Sequence, residues 1–400
     1  MNKPFAICLA QVLLLTSILS ACSGKQNTVP ENNSIAALPS KFIFIDNFSR
    51  GWSRVSGIVI NNDTSEYLYS GCSLYLNGAQ TSTGKGISLP NLNKIATLVL
   101  WAKSEDWSHI STINMRLRGP GGVDFRQVMA NSDFPVEAYN GWRKIIFSPN
   151  TSYTGIYDTN ITTVEIRTTS TAMGDGSYPD IWLNNLGYLD YIGSFVTICF
   201  DDGHESAFTI AKPLLESHGY RGVVAPITSR IGKSQHMTLA QLQSLDDKGW
   251  DVASHGVSHL SADNLTIAEK DYDLSSSRAY LIDNGIRCHT FIAPFGDYNS
   301  EAYKYYDLQR AGGSYCGSPV GFNRYLVRYR SINTEVDKNT ALNIMEKMVT
   351  HGGGWMNLAF HELGVDGLSY LKAILDYIQL HNIKVITYSD ILDSYPNPPE

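Results

Sequence analysis

Two carboxylates stand side by side at Asp201-Asp202, ahead of Gly203 and directly after the apolar run Phe195-Val-Thr-Ile-Cys-Phe200. Two imidazoles, His255 and His259, stand four residues apart after a second run that ends at Ser254. That spacing sets both rings on one face if the segment makes a helical turn, which suits a shared metal ion. Two histidines and one carboxylate, with a position left open, form the donor set of a catalytic zinc site. Neighbouring residues at a strand end point to opposite sides, so one Asp can ligate while the other sits beside the metal's water. Gly203 supplies the backbone freedom for a sharp turn there. Each feature has a plainer reading by itself: solvated or core histidines, and an Asp that caps the following helix. Two further clusters weigh against the plainer readings. Pro294-Phe295-Gly296-Asp297 follows the strand-like residues 290–293, and His361-Glu362 follows 355–360.

The elements that must position these clusters are legible from residue 191 onwards. Strands are expected at 195–200, 222–227, 250–254, 290–293, 355–360 and 384–387. Helices are expected between them, at 206–217, 238–249, 266–285, 300–309, 338–349 and 368–380. Thr238-Leu-Ala-Gln241 and Thr266-Ile-Ala-Glu269 read as capping boxes, with Gly249 and Gly285 as stops. Strands alternating with amphipathic helices predict an α/β domain with a parallel sheet, of TIM-like (β/α) barrel type, complete or not. Each polar cluster falls at the C-terminal end of a strand, the rim on which such barrels build active sites.

Phe200-Asp201-Asp202-Gly203, Ser254-His255-Gly256-Val257-Ser258-His259, Ala293-Pro294-Phe295-Gly296 and Leu358-Ala-Phe-His361 resemble, in order, the motifs of the NodB-type polysaccharide deacetylases, carbohydrate esterase family 4. The resemblance covers the chain from about Phe195 to its C-terminus and leaves out the amino-terminal half. It implies a distorted (β/α) barrel. It also implies Asp201 as general base, Asp202, His255 and His259 as ligands of zinc or another divalent transition metal, and His361 as general acid. Pro294 and Phe295 would border the substrate, with a backbone N–H near Phe295 facing the oxyanion. The parts cohere chemically: an amide is a poor electrophile, and expelling an amine requires protonation of nitrogen.

The sequence departs from the family pattern twice. Many members carry an Arg two residues before the motif's Pro, in contact with the catalytic Asp; here Ile292 stands there, and Phe295 replaces a Tyr. Apolar residues in place of the Arg resemble the poly-N-acetylglucosamine deacetylases. Arg328 or Arg330 could return the missing charge from another loop, or stand solvated on the surface. The other histidines (His109, His204, His218, His236, His289 and His351) show no partner and read as surface or core residues.

Residues 41–190 read differently, as short β-prone runs separated by Gly, Asn, Ser, Asp and Pro. Strands are expected at 42–45, 66–69, 73–76, 96–101, 112–117, 142–147, 163–167 and 181–183, without helices. This is an all-β sandwich pattern, jelly-roll-like. Trp52, Trp101, Trp107, Trp142 and Trp182 lie here, and a carbohydrate-binding module competes with a purely structural sandwich. Trp101 and Trp182 read as core, whereas Trp107, in Ser-Glu-Asp-Trp-Ser, is the better surface candidate for stacking on sugar.

The first 22 residues form a targeting segment: Lys3, an apolar stretch, and Leu19-Ser20-Ala21-Cys22, which resembles a bacterial lipobox with Cys22 as lipidated N-terminus. Residues 23–40, polar and with Pro30 and Pro39, are the expected tether. Both this and an ordinary secretory signal export the chain, to a periplasmic or cell-surface face, with membrane attachment only through lipid. Cys72, Cys199, Cys288 and Cys316 allow three pairings, but Cys199 sits in an apolar run and reads as a buried thiol. A net charge of −7 and the lack of a Lys/Arg run exclude a nucleic-acid partner. The expected partner is an N-acetylated polysaccharide. A non-catalytic glycan-binding lipoprotein, and an O-acetyl esterase or other amidase on the same barrel, are the competing functions.

Overall fold

The computed structural model describes residues 41–67, 72–89, 97–120, 124–130, 138–139, 141–147, 161–190, 193–313, 324–350 and 353–394. The lipobox, the tether, Cys316 and His351 lie outside the described residues.

The amino-terminal half is built of antiparallel strands: β1 (Lys41–Asp46), β2 (Ser53–Asp63), β3 (Ser73–Leu89), β4 (Thr97–Lys103), β5 (Ile110–Arg118), β6 (Asp124–Ala130), β7 (Ala138–Tyr139), β8 (Trp142–Phe147), β9 (Ile161–Ser170) and β10 (Ile181–Asp190). They hydrogen-bond in the order β6-β5-β9-β3-β10-β4-β8-β7, with β1 also on β10 and β2 on β3. Strand β3 joins two groups of strands. Its residues 74–76 pair with β10, and its residues 80–89 pair with β9. Gly78 lies between the two stretches at φ +139, and β2 shifts register alongside at Gly57, φ +70. A Cβ at Gly57 would lie 2.4 Å from Thr81 Oγ1, so only glycine lets the two strands bend together here. One apolar core draws on both groups, with Leu74, Leu76, Leu98 and Leu100 from one and Ile113, Met115, Val164 and Ile166 from the other. Strand β2 and strand β6 were not expected, while Glu66 and Tyr67 are not in a strand.

The tryptophan expectation needs correction at Trp107. Its ring is buried in the core, and the guanidinium of Arg143 covers it at 4.5 Å. Trp101, Trp142 and Trp182 form a separate buried cluster with Tyr75 packed against it. Trp52 is buried too and donates from Nε1 to Asp46 Oδ1 at 2.9 Å. A buried ring cannot stack on a sugar, so none of the five is a platform.

The second half alternates strand and helix: β11 (Gly193–Phe200), α1 (Lys212–Ser217), β12 (Val223–Val224), α2 (Leu239–Asp247), β13 (Asp251–Val252), α3 (Ile267–Asp283), β14 (Thr290–Ile292), β15 (Leu308–Arg310), β16 (Arg330–Ser331), α4 (Glu335–Thr350), β17 (Gly353–Phe360), α5 (Val365–Leu380), β18 (Lys384–Val385) and α6 (Tyr388–Ser394). Both capping boxes form, with Thr238 and Thr266 accepting from the amides of Gln241 and Glu269. All strand pairs are parallel, in the order β13-β12-β11-β17-β16, with β18 on β11 and β14 on β15. Ser254 bridges to Phe291, and Arg310 bridges to Val327, three residues before β16. Helix side chains and the inner strand residues Val196, Ile198, Phe200, Leu358 and Phe360 share one core.

The helix expected at 300–309 is absent. A short turn, Ala302–Lys304, gives way to strand β15. Buried Gln309 accounts for this: it accepts from the Asn299 amide and donates to the carbonyls of Asn299 and Tyr325. Those tertiary bonds hold the segment extended against its helical pattern. Replacing Thr266 with Ala should cost about 1 kcal/mol of stability, the usual worth of an N-cap. Urea unfolding of the full chain, wild type against Thr266→Ala, measures it.

Candidate metal centre

Asp202 leaves β11 in the left-handed region, at φ +67. The turn aims its Oδ1 at two imidazoles, 3.5 Å from His255 Nε2 and 3.2 Å from His259 Nε2. One donor atom from each of the three residues lies within 4.8 Å of the others. Asp202 Oδ1 is buried and accepts no hydrogen bond among the described residues. The His255 Nδ1 lies 2.7 Å from the Ile292 carbonyl, which can only accept, so Nδ1 carries the proton and Nε2 presents its lone pair. A buried carboxylate oxygen without a donor, facing lone pairs, is a poor arrangement for protein alone. A cation would complete it, and the residues present fit one.

The backbone that brings the histidines together is not the helical turn that the spacing suggests. Gly256 and His259 are both left-handed, at φ +74 and +55. Asp273, buried on α3, organises the loop by accepting from the amides of Val257 and Ser258 and from the Ser258 hydroxyl. A Cβ on Gly256 would lie 2.3 Å from Asp273 Oδ2, so this glycine is required on two counts. His204 also reaches the site, its Nε2 3.7 Å from Asp202 Oδ2 and its ring stacked on His236 at 5.0 Å. Adjacency to the Asp-Asp-Gly turn was the signal for His204; that of His236 is visible only in the fold.

Asp201 points elsewhere and is buried. Arg310 donates to it with both terminal nitrogens, from Nη1 to Oδ1 at 3.0 Å and from Nη2 to Oδ2. The Cys199 thiol donates to Oδ1 at 3.2 Å. Arg310 is itself fully buried, with its guanidinium 4.0 Å from the Tyr329 ring. Burial pushes the Asp201 carboxyl up, but the charge of Arg310 overcomes this and leaves it below the ordinary value. Of the two readings of Arg328 and Arg330, the one that has them replace the family's Arg gives way here. The charge comes from Arg310, the register partner of Ile292 on the next strand. The guanidinium has moved one strand over.

His361 follows β17 and is partly exposed. Pro294 is buried, and Phe295 above it is 67% exposed at φ +59. The Phe295 ring lies 4.7 Å from that of His259. In this turn the amides of Gly296 and Asp297 donate to the carbonyls of Ala293 and Pro294. The Phe295 amide has no such acceptor among the described residues. A cleft of about 340 Å³ opens beside it, bordered by Gly312, Tyr329, Arg330 and Asn333. Cys199 and Cys288 are free, buried thiols, and Cys72 is buried as well.

Residues 191–312 match the sequence profile of the family described as polysaccharide deacetylase. YxkH of Bacillus subtilis (strain 168), provisionally named a polysaccharide deacetylase, is 32% identical over 111 residues. The match takes in 27% of this chain and 39% of YxkH, so the chain spans about two fifths of that relative's length. Among solved structures, the carbohydrate esterase 4 domain of a multidomain xylanase from the hindgut metagenome of Trinervitermes trinervoides is 15% identical, with a TM-score of 0.37. That alignment covers 50% of this chain and 90% of the domain. The family 4 carbohydrate esterase from Streptomyces lividans, solved with acetate, is 14% identical with a TM-score of 0.35, over 48% of this chain and 92% of its own.

Removing Arg310 alone should be severe, because Asp201 would remain buried and unpaired. We expect Arg310→Met to lose about 3–5 kcal/mol of stability. The double variant Asp201→Asn/Arg310→Met should lose less than the sum of the single changes. Urea unfolding of the four proteins closes that cycle.

Proposed function

For a chain whose residues 191–312 are a NodB-type polysaccharide deacetylase domain, we propose hydrolysis of N-acetyl groups on an extracytoplasmic amino-sugar polysaccharide, with release of acetate. The observation that carries this reading is the buried, unpartnered Asp202 Oδ1 between two histidine Nε2 atoms, with a second carboxylate, Asp201, fixed beside it. Asp202, His255 and His259 would hold zinc or another divalent transition metal. Such an ion, when bound, polarises the acetyl carbonyl and acidifies water.

The chain's own groups divide the remaining work. Asp201, kept ionised and oriented by Arg310, takes the proton of the attacking water. The Phe295 amide donates to the oxyanion that develops from the acetyl carbonyl oxygen. His361 gives a proton to the departing amine nitrogen. Phe295, at the mouth of the cleft, offers an apolar edge to a sugar ring. The fold reading that goes with this is a distorted (β/α) barrel, supported by parallel pairing that passes from β16 through β17, β11, β12 and β13 to Ser254, β14, β15 and Val327. The amino-terminal strands we read as a jelly-roll-like sandwich about one core. Export and lipid attachment at Cys22 rest on the Leu19-Ser20-Ala21-Cys22 motif.

Metal content and acetate release from N-acetylated glycans, measured on the same preparations, test the assignment. His255→Ala should lose the metal and the activity together. Asp201→Asn should keep the metal while its rate falls by on the order of 10²–10⁴, the worth of a general base. His361→Ala should slow an amide substrate more than an O-acetyl ester, whose leaving group needs less help. A wild-type protein that stays fully active after its metal is removed would end this reading.

A further inference from the structure

A second charged constellation lies on the antiparallel sheet, on the face opposite its core. Met115, Leu117, Val164 and Ile166 point into the core, so Arg116, Arg118, Glu165 and Arg167 stand on the other side. The Glu165 carboxylate sits 2.9 Å from Arg118 Nη2, 3.6 Å from Arg116 Nη1 and 3.7 Å from Arg167 Nη2. It also accepts from the Ser82 hydroxyl at 2.8 Å. Only 11% of the Glu165 side chain is exposed, whereas Arg118 and Arg167 are 44% and 41% exposed. One sequestered carboxylate thus anchors three guanidiniums, and those of Arg118 and Arg167 face water.

The floor beside this cluster is bare. Strand β3 places Gly84 opposite Glu165 and Gly86 opposite Thr163. Neither glycine is forced by crowding: a Cβ at Gly84 would meet nothing closer than 3.6 Å, and one at Gly86 nothing closer than 3.9 Å. Neither has a left-handed backbone. Two residues without side chains therefore leave a shallow space against backbone, next to a row of exposed guanidiniums. Arginine suits planar, two-pronged recognition of a carboxylate, and a surplus of like charge is relieved when a second anion arrives.

We propose that this face binds a carboxylate-bearing polysaccharide, with Arg118 and Arg167 holding the carboxylate and the sugar ring lying over Gly84 and Gly86. It assigns a glycan role to the amino-terminal half without any tryptophan. That the ligand is a polysaccharide rests on the function proposed above; the site itself does not require catalysis.

The test is binding of the full chain to a polygalacturonate oligomer, by calorimetry, at two salt concentrations. Wild type should bind, with affinity falling as salt rises. Arg118→Gln/Arg167→Gln should weaken binding about tenfold or more, since two charge-assisted contacts are lost. Lys233→Gln/Lys372→Gln, an equal charge change at exposed lysines of the other half, should bind as wild type does. Asp201→Asn should also bind normally, which separates this site from the deacetylase reading. Circular dichroism and thermal unfolding establish that each variant is folded. The proposal is overturned if wild type does not bind, if neutral chitohexaose binds equally, or if the two double variants behave alike. Salt-sensitive binding to phosphatidylglycerol vesicles without binding to polygalacturonate would also overturn it and assign the face to a membrane.

Discussion

The ion pair between Asp201 and Arg310 is the constraint on which the second half depends. Both side chains are buried, and either charge alone would be intolerable there. The pair is met in two-pronged geometry, and the Tyr329 ring covers the guanidinium. It also ties strands that are distant in sequence. Asp201 follows β11, and its amide donates to Phe360 at the end of β17. Arg310 ends β15, which bridges to Val327 ahead of β16. A single charged contact therefore fixes the relative positions of several strand ends. Desolvating two ions gains little net stability. What it gives is one geometry, with a carboxylate that is ionised and cannot rotate.

The strand ends support the metal centre by another means, strained backbone. Asp202, His259 and Phe295 are all left-handed without being glycine. Each costs on the order of 1–3 kcal/mol and persists only where surroundings dictate it. The surroundings are visible. Asp273 holds the amides after Gly256, and a Cβ at Gly203 would press on Pro226 Cα at 2.8 Å, so the turn after Asp202 has no room to relax. Strain at these residues turns side chains inward over the strand ends, where an extended backbone would send alternate residues to opposite faces.

How much of this was legible in the sequence depends on how local each feature is. The Asp-Asp-Gly turn, the paired histidines and both capping boxes are short-range patterns, and all occupy their expected places. A spacing of four does not specify a backbone: the rings of His255 and His259 meet through a left-handed loop held by Asp273, where a helical turn would also have served. Arg310 was missed for a related reason. It ends a three-residue strand inside a segment of helical pattern, and its role exists only through register with Ile292. The burial of Trp107 was missed because its neighbours Ser104-Glu105-Asp106 are polar, whereas its cover, Arg143, comes from β8.

The two arginine–carboxylate sites show how stoichiometry, more than residue type, separates structure from recognition. At Asp201 one guanidinium meets one carboxylate, both buried, and the two charges balance one to one. Such a site is complete; adding an anion would need a charge that is not there. At Glu165 the ratio is inverted, with three guanidiniums about one sequestered acid and two of them nearly half exposed. The acid there sets the positions of the arginines without neutralising them. Sequence cannot distinguish the two cases, since net charge is −7 and no basic run marks the second site. The alternation of β5 and β9 makes the difference, because it gathers residues 116, 118 and 167 onto one face while their neighbours build the core.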